Sequence, residues 1–156
     1  MTNVAIGKPI PDFKAASTAG DISSSSFSNR WTVLYFYPKD NTPGCTNQAK
    51  GFRDHYTEFQ KLNTEIIGVS RDSLRSHENF INKHDLPFAL ISDPDETLCT
   101  LFDVIKLKNM YGKKVRGIER STFLIGPDNT LHQEWRGLRV PGHVETVLQA
   151  VQDAQQ

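Results

Sequence analysis

The stretch Trp31-Thr-Val-Leu-Tyr-Phe-Tyr37, followed by Pro38-Lys-Asp-Asn-Thr-Pro-Gly44 and then Cys45, decides how this chain folds. An unbroken run of β-branched, aromatic and aliphatic residues suits a strand buried on both faces, as in a parallel sheet. Pro38 stops the run and a polar loop follows. From Cys45 onward Ala49, Phe52, Tyr56, Phe59 and Leu62 recur at three- and four-residue spacing, the period of a helix with one buried face. The unit is strand, loop, helix, with a cysteine in the helix's first turn.

Working outward, Thr64-Glu-Ile-Ile-Gly-Val-Ser70 predicts a second buried strand, and residues 72–83 a helix with Leu74, Phe80 and Ile81 inward. A short strand is expected at 88–91, then a helix capped by Asp93 or Asp95 that carries Leu98, Leu101 and Phe102. Residues 106–119 are basic and read as an irregular excursion. Residues 121–125 and 130–135 read as strands joined by a Gly-Pro-Asp-Asn turn, and 143–154 as a closing helix. The Ser-rich segment 21–28 reads as an exposed turn. Alternating strands and helices, then a hairpin and a helix, predict an α/β layer architecture whose first two strands are parallel neighbours. Such folds bind ligands beyond the carboxyl ends of their strands, which is where Cys45 lies.

The chain has 156 residues, 37% of them hydrophobic and 23% charged, which fits a single globular domain spanning 1–156. Eighteen basic residues balance eighteen acidic ones, so the charge footprint of a nucleic-acid or anionic-membrane binder is missing. No run approaches the roughly 18 apolar residues of a membrane-spanning helix. Residues 1–14 do not read as a secretory signal, and two widely spaced cysteines do not make a disulfide framework. The expected compartment is the cytoplasm. The five histidines lack the spacing of a metal site, and no histidine stands where it would suggest a cysteine–histidine hydrolase.

A helix start presents unpaired N–H groups and the positive end of the helix dipole, both of which favour a thiolate. Pro43 suits the first turn, Gly44 leaves room for a small substrate, and the Thr42 hydroxyl is three residues from the sulfur. On these features alone, Cys45 reads equally well as a buried structural thiol.

The combination resembles something more specific. Tyr37-Pro-Lys-Asp-Asn-Thr-Pro-Gly-Cys-Thr46 is similar to the peroxiredoxin signature, Pro-x3-Thr-x2-Cys, in the form found in the Q-type or bacterioferritin-comigratory subfamily. Gly117-Ile-Glu-Arg-Ser-Thr-Phe-Leu-Ile125 resembles the strand that supplies that family's arginine, here Arg120, and Gly7-Lys-Pro-Ile-Pro-Asp-Phe13 resembles its N-terminal segment. The resemblance implies a thioredoxin-like α/β fold, a central mixed sheet with helices on both faces. It implies a thiol peroxidase in which Cys45 becomes a sulfenic acid while Thr42, Arg120 and backbone N–H groups stabilise the departing oxygen and Pro38 shields the sulfur. Hydrogen peroxide or an organic hydroperoxide would be the substrate and a thiol the reductant, whether thioredoxin, glutaredoxin or glutathione. It implies no metal or organic cofactor, and a monomer.

The pattern breaks at resolution. Many Q-type proteins carry a second, resolving cysteine five residues on, where this chain has Lys50, or on the following helix, where it has Ile81. The remaining thiol, Cys99, sits between Leu98 and Leu101 and reads as a core residue or as a resolving cysteine that only a large rearrangement would bring to Cys45. A one-cysteine cycle with an external thiol is therefore expected. Two other functions suit the fold. A thiol–disulfide exchanger would need a second thiol at Gln48, and a non-catalytic binding module would not need Thr42, Cys45 and Arg120 together.

Overall fold

A computed structural model describes residues 4–156; residues 1–3, the start of the N-terminal stretch read above, lie outside it. In chain order the elements are β1 (Lys14–Ala15), β2 (Ile22–Ser23), a 3-10 turn (Ser24–Phe27), β3 (Trp31–Phe36), α1 (Pro43–Asp54), α2 (Tyr56–Lys61) and β4 (Thr64–Ser70). There follow α3 (Leu74–His84), β5 (Ala89–Ser92), α4 (Thr97–Leu101), β6 (Ile105–Met110), β7 (Lys113–Ile118), β8 (Ser121–Ile125), β9 (Leu131–Arg136) and α5 (His143–Ala154).

The central sheet has five strands in the order β5-β4-β3-β8-β9. β3 pairs in parallel with β4, as expected from the crossover, and antiparallel with β8, so the sheet is mixed. Alternation along β3 divides the interior in two. Val33 and Tyr35, with Tyr37 beyond the strand, join one core with Cys45, Phe52, Phe59, Phe80 and the apolar face of α5. Leu34 and Phe36 join the other, with Phe13, Phe27, Leu98, Cys99 and Phe102. Helices α1, α2, α3 and α5 thus cover one face and α4 the other. No helix among the described residues is long and apolar enough to cross a membrane.

Three local expectations need correction. Residues 106–119 are not irregular: β6 and β7 form an antiparallel ribbon from Ile105↔Ile118 to Met110↔Lys113. Its turn is Tyr111-Gly112, with φ of 53° and 79°, the left-handed pair that a tight hairpin demands, and the lysines around it hid the strand pattern. The Ser-rich segment is not simply exposed. Ser24 accepts a hydrogen bond from the Phe13 amide (3.1 Å), and Phe27 is fully buried, edge-on to Phe13. Finally, the helical run from Cys45 breaks at His55, whose φ of −103° and ψ of 6° separate α1 from α2.

Candidate active site

The site lies beyond the carboxyl end of β3. Residues 38–42 leave that strand, Thr42 sits at the N-cap of α1 in extended conformation, and Pro43 opens the helix. The first helical bond runs from Thr46 N to Thr42 O (2.9 Å), so the N–H groups of Gly44 and Cys45 precede the helical ladder. Cys45 is the third residue of α1 and is 2% exposed. Its sulfur is buried, yet it is set among donors.

Arg120 arrives from the other side of β3. Ser121, the first residue of β8, pairs with Phe36, so the preceding residue falls beside the end of β3. Its Nη2 donates to Cys45 Sγ at 3.4 Å and its Nη1 to Gln48 Oε1 at 2.7 Å. Gly44 makes this approach possible: a Cβ there would lie 3.2 Å from Nη2. Gln48 occupies the position where a Cys-x-x-Cys exchanger would have its second thiol, and it is fully buried. A guanidinium only donates, so the carboxamide oxygen must face it, and Gln48 Nε2 is left buried with no partner among the described residues. The fork of Arg120 is thus fixed between sulfur and amide. The sequence singled out Gln48 only as a missing cysteine. Its spacing, three residues after Cys45 and four before Phe52 on the face read as apolar, was the available signal.

Thr42 and Pro38 are placed less directly. The Thr42 hydroxyl donates to the carbonyl of Lys39 (2.9 Å), and Thr42 and Pro38 are both half-buried beside the helix start. That bond commits the Thr42 proton, so the hydroxyl is not the donor to the departing oxygen that the resemblance implies, and its lone pairs are free to accept a hydrogen bond. Tyr35 lies on the same face. Burial, with the nearby Cys45 and Asp40, pushes its phenol well above the usual range, and its hydroxyl is a second buried group without a partner among the described residues. Beneath Arg120, buried His143 meets the Thr122 hydroxyl (Nε2 to Oγ1, 2.9 Å). Burial, with the charge of Arg120, depresses its pKa to about 4.

The basic ribbon is largely accounted for locally. Lys106 pairs with Asp103 (3.3 Å), Arg116 with Glu96, and the Lys108 ammonium donates to the Ile118 carbonyl. Burial and the charge of Arg120 lower the Lys108 pKa, while Lys113 and Lys114 remain exposed. A cavity of about 370 Å³ opens beside the first turn of α1, between Gly44, Asn47 and Gly51 on one side and Val140, Pro141 and Val144 on the other. A larger hollow of about 710 Å³ between β9 and α5 includes none of Cys45, Gln48 or Arg120.

Cys99 belongs to the opposite core. Its N–H donates to Asp93 Oδ2 (2.8 Å) and that of Leu98 to Oδ1 (3.1 Å), so Asp93 serves the start of α4. Burial and that carboxylate push the thiol's pKa far up. Both cysteines are free, with the sheet between their two cores.

Comparison with known proteins places the chain in a family. The AhpC/TSA family profile matches residues 6–134. A Peroxiredoxin Bcp of Xanthomonas campestris is 47% identical over 154 residues, covering 97% of this chain and 96% of that protein. That of Bacillus subtilis is 46% identical over 151 residues, covering 96% of each. The solved Peroxiredoxin Q of X. campestris superposes with a TM-score of 0.90 at 45% identity, covering 99% of this chain and 100% of that one. A cysteine-to-serine mutant of Xylella fastidiosa PrxQ gives 0.93 at 42%, covering 98% of each. Serine variants of two different cysteines have been solved for the Xanthomonas protein, and the second stands as far along the chain from the first as Ile81 stands from Cys45 here. A thioredoxin-like sheet, a buried thiol under an arginine and relatives of this similarity lead to one conclusion: the chain belongs to the AhpC/TSA family, as a thiol-dependent peroxidase of the peroxiredoxin Q or Bcp type.

Proposed function

We propose that Cys45 reduces hydrogen peroxide and organic hydroperoxides in a one-cysteine cycle, in a single domain spanning 1–156 that acts as a monomer in the cytoplasm. The observation that carries this reading is the 3.4 Å contact between Arg120 and the Cys45 sulfur at a helix start. The Cys45 thiolate attacks one peroxide oxygen and the O–O bond breaks. The bond's electrons leave with the second oxygen, which takes a proton to give water or an alcohol. Cys45 becomes a sulfenic acid. Arg120 and the amides of Gly44 and Cys45 stabilise the charge on the departing oxygen, Thr42 accepts a hydrogen bond from the peroxide hydroxyl, and Pro38 limits water at the sulfur. Val140, Pro141 and Val144 offer an apolar wall for an organic substituent, and alkyl peroxide reduction is described for the Xanthomonas relative.

One external thiol then condenses with the sulfenic acid, releasing water, and a second frees Cys45 as the external disulfide forms. Cys99 stays out of the cycle, because it lies in the other core and its thiol is held protonated. No residue stands in for the second thiol of an exchanger, and a binding module would not need the arginine held against sulfur.

Peroxide consumption with dithiothreitol tests the reading. Cys45→Ser is expected to lose turnover with an unchanged circular dichroism spectrum, and Cys99→Ala to keep it. After one equivalent of peroxide, a dimedone-type reagent should label Cys45. A quantitative Cys45–Cys99 disulfide in non-reducing peptide maps, lost together with turnover in Cys99→Ala, would make Cys99 the resolving residue instead.

A further inference from the structure

A second buried polar cluster lies behind the loop that carries Pro38 and Thr42. Of residues 38–42, only Asp40 is buried, and the next residue, Asn41, takes a left-handed φ of 64°. The position of this loop therefore depends on what Asp40 holds. Its Oδ1 accepts from the Tyr37 hydroxyl (2.6 Å), while its Oδ2 accepts from Ser76 Oγ and meets His77 Nδ1, both at 2.8 Å. Its own amide donates to Asp72 Oδ2 (2.9 Å).

His77, on α3, is fully buried, and its Nε2 lies 2.9 Å from the Ile91 carbonyl of β5. A carbonyl only accepts, so Nε2 carries a hydrogen, and the contact at Nδ1 needs a second proton shared between ring and carboxylate. Burial opposes ionisation of Asp40, but the bonds from His77 and Tyr37 outweigh it and hold the carboxyl below its usual range. Atoms of Asp40, Asp72 and His77 lie within 4.8 Å of one another, a spacing that a cation could use, but each residue is already engaged in the bonds above or, for Asp72, with Ser70 (2.6 Å). A continuous chain of bonds thus runs from β5 through His77 and Asp40 to the loop that leads into Cys45.

We infer that His77 is a positioning residue for Cys45: through Asp40 it fixes residues 38–42, and with them the first turn of α1, where the thiol meets Arg120. The inference rests on the peroxidase reading. It adds a residue from another helix, one that touches neither sulfur nor peroxide. Misplacing reacting groups by about 1 Å costs on the order of 100-fold, so releasing this latch should slow oxidation by roughly 10- to 100-fold.

The experiment is steady-state turnover with hydrogen peroxide and dithiothreitol in His77→Gln, Asp40→Asn, their double variant and Tyr37→Phe, with melting curves for each. We expect kcat/KM for peroxide to fall roughly 10- to 100-fold in either single variant, and no further in the double, because the two residues act as one unit. Tyr37→Phe, which keeps its packing and loses one donor, should fall less. Throughout, kcat/KM for dithiothreitol should stay at the wild-type value, whereas partial unfolding would lower both constants together. Wild-type kcat/KM for peroxide in folded His77→Gln, or losses that simply multiply in the double, would overturn the inference. Should His77→Gln not fold, unchanged peroxide kinetics in Tyr37→Phe would do the same. An active Cys45→Ser would instead remove the peroxidase reading itself, so the two failures are distinguishable.

Discussion

Acid should destabilise this protein through His143 before most of its carboxylates respond. Burial, with Arg120 nearby, sets the folded pKa at about 4 against an ordinary 6.5. As the pH falls through 6.5 the unfolded chain takes up a proton that the folded chain refuses until about pH 4. Stability from this group is therefore complete above pH 6.5, declines from there to pH 4, and is constant below. At 1.36 kcal/mol per pKa unit, the difference amounts to about 3 kcal/mol in all and about 2 kcal/mol at pH 5. For a chain of 156 residues each kcal/mol moves the melting temperature by about 2–4 °C, so roughly 4–8 °C is at stake at pH 5. The assay compares melts of wild type and His143→Gln at pH 7 and pH 5. Asp40 and the other depressed carboxyls lose stability in both proteins and cancel. Wild type should lose roughly 4–8 °C more than the variant between the two pH values. Equal losses, or an imidazole titration near 6.5 by NMR, would refute the reasoning.

Arg120→Met keeps much of the stem and removes the charge-bearing donor at the sulfur. Such a donor is worth on the order of 2.7–4 kcal/mol, so peroxide oxidation should slow by roughly two to three orders of magnitude in stopped-flow, with Gln48 left without its partner. Gly68→Ala would place a Cβ 2.7 Å from Leu90 Cδ2 and 2.9 Å from Tyr35 Cζ, in the sheet under the active site. Chemical denaturation should show a loss of about 1–3 kcal/mol, since the packed ring and strand have little room to yield.

The parts legible in the sequence were those with a strong local signature. The run at 31–37 and the helical spacing after Cys45 announce the first parallel pair, and the two motifs point to Cys45 and Arg120. What stayed hidden depended on distant partners. Gln48 is polar on a helix face that alternation would assign to the core, and only the guanidinium brought by β8 explains it. Asp40 sits in an otherwise polar loop, where nothing local distinguishes a buried carboxylate from an exposed one. The β6–β7 ribbon was masked both by its lysines and by a turn that uses Tyr111, a residue that seldom takes positive φ.

A sheet with one thiol on each face has a kinetic consequence. An enzyme with a reachable second thiol can convert its oxidised sulfur promptly to a disulfide and wait in that safer form. In the one-cysteine cycle proposed above, the waiting form is the sulfenic acid itself, and its lifetime is set by how soon a thiol arrives from outside. Halving the supply of reductant doubles that lifetime, and with it the chance that a second peroxide carries Cys45 to the irreversible sulfinic state. Under that cycle, endurance would be governed by the ratio of thiol to peroxide around the protein, and hardly by peroxide alone.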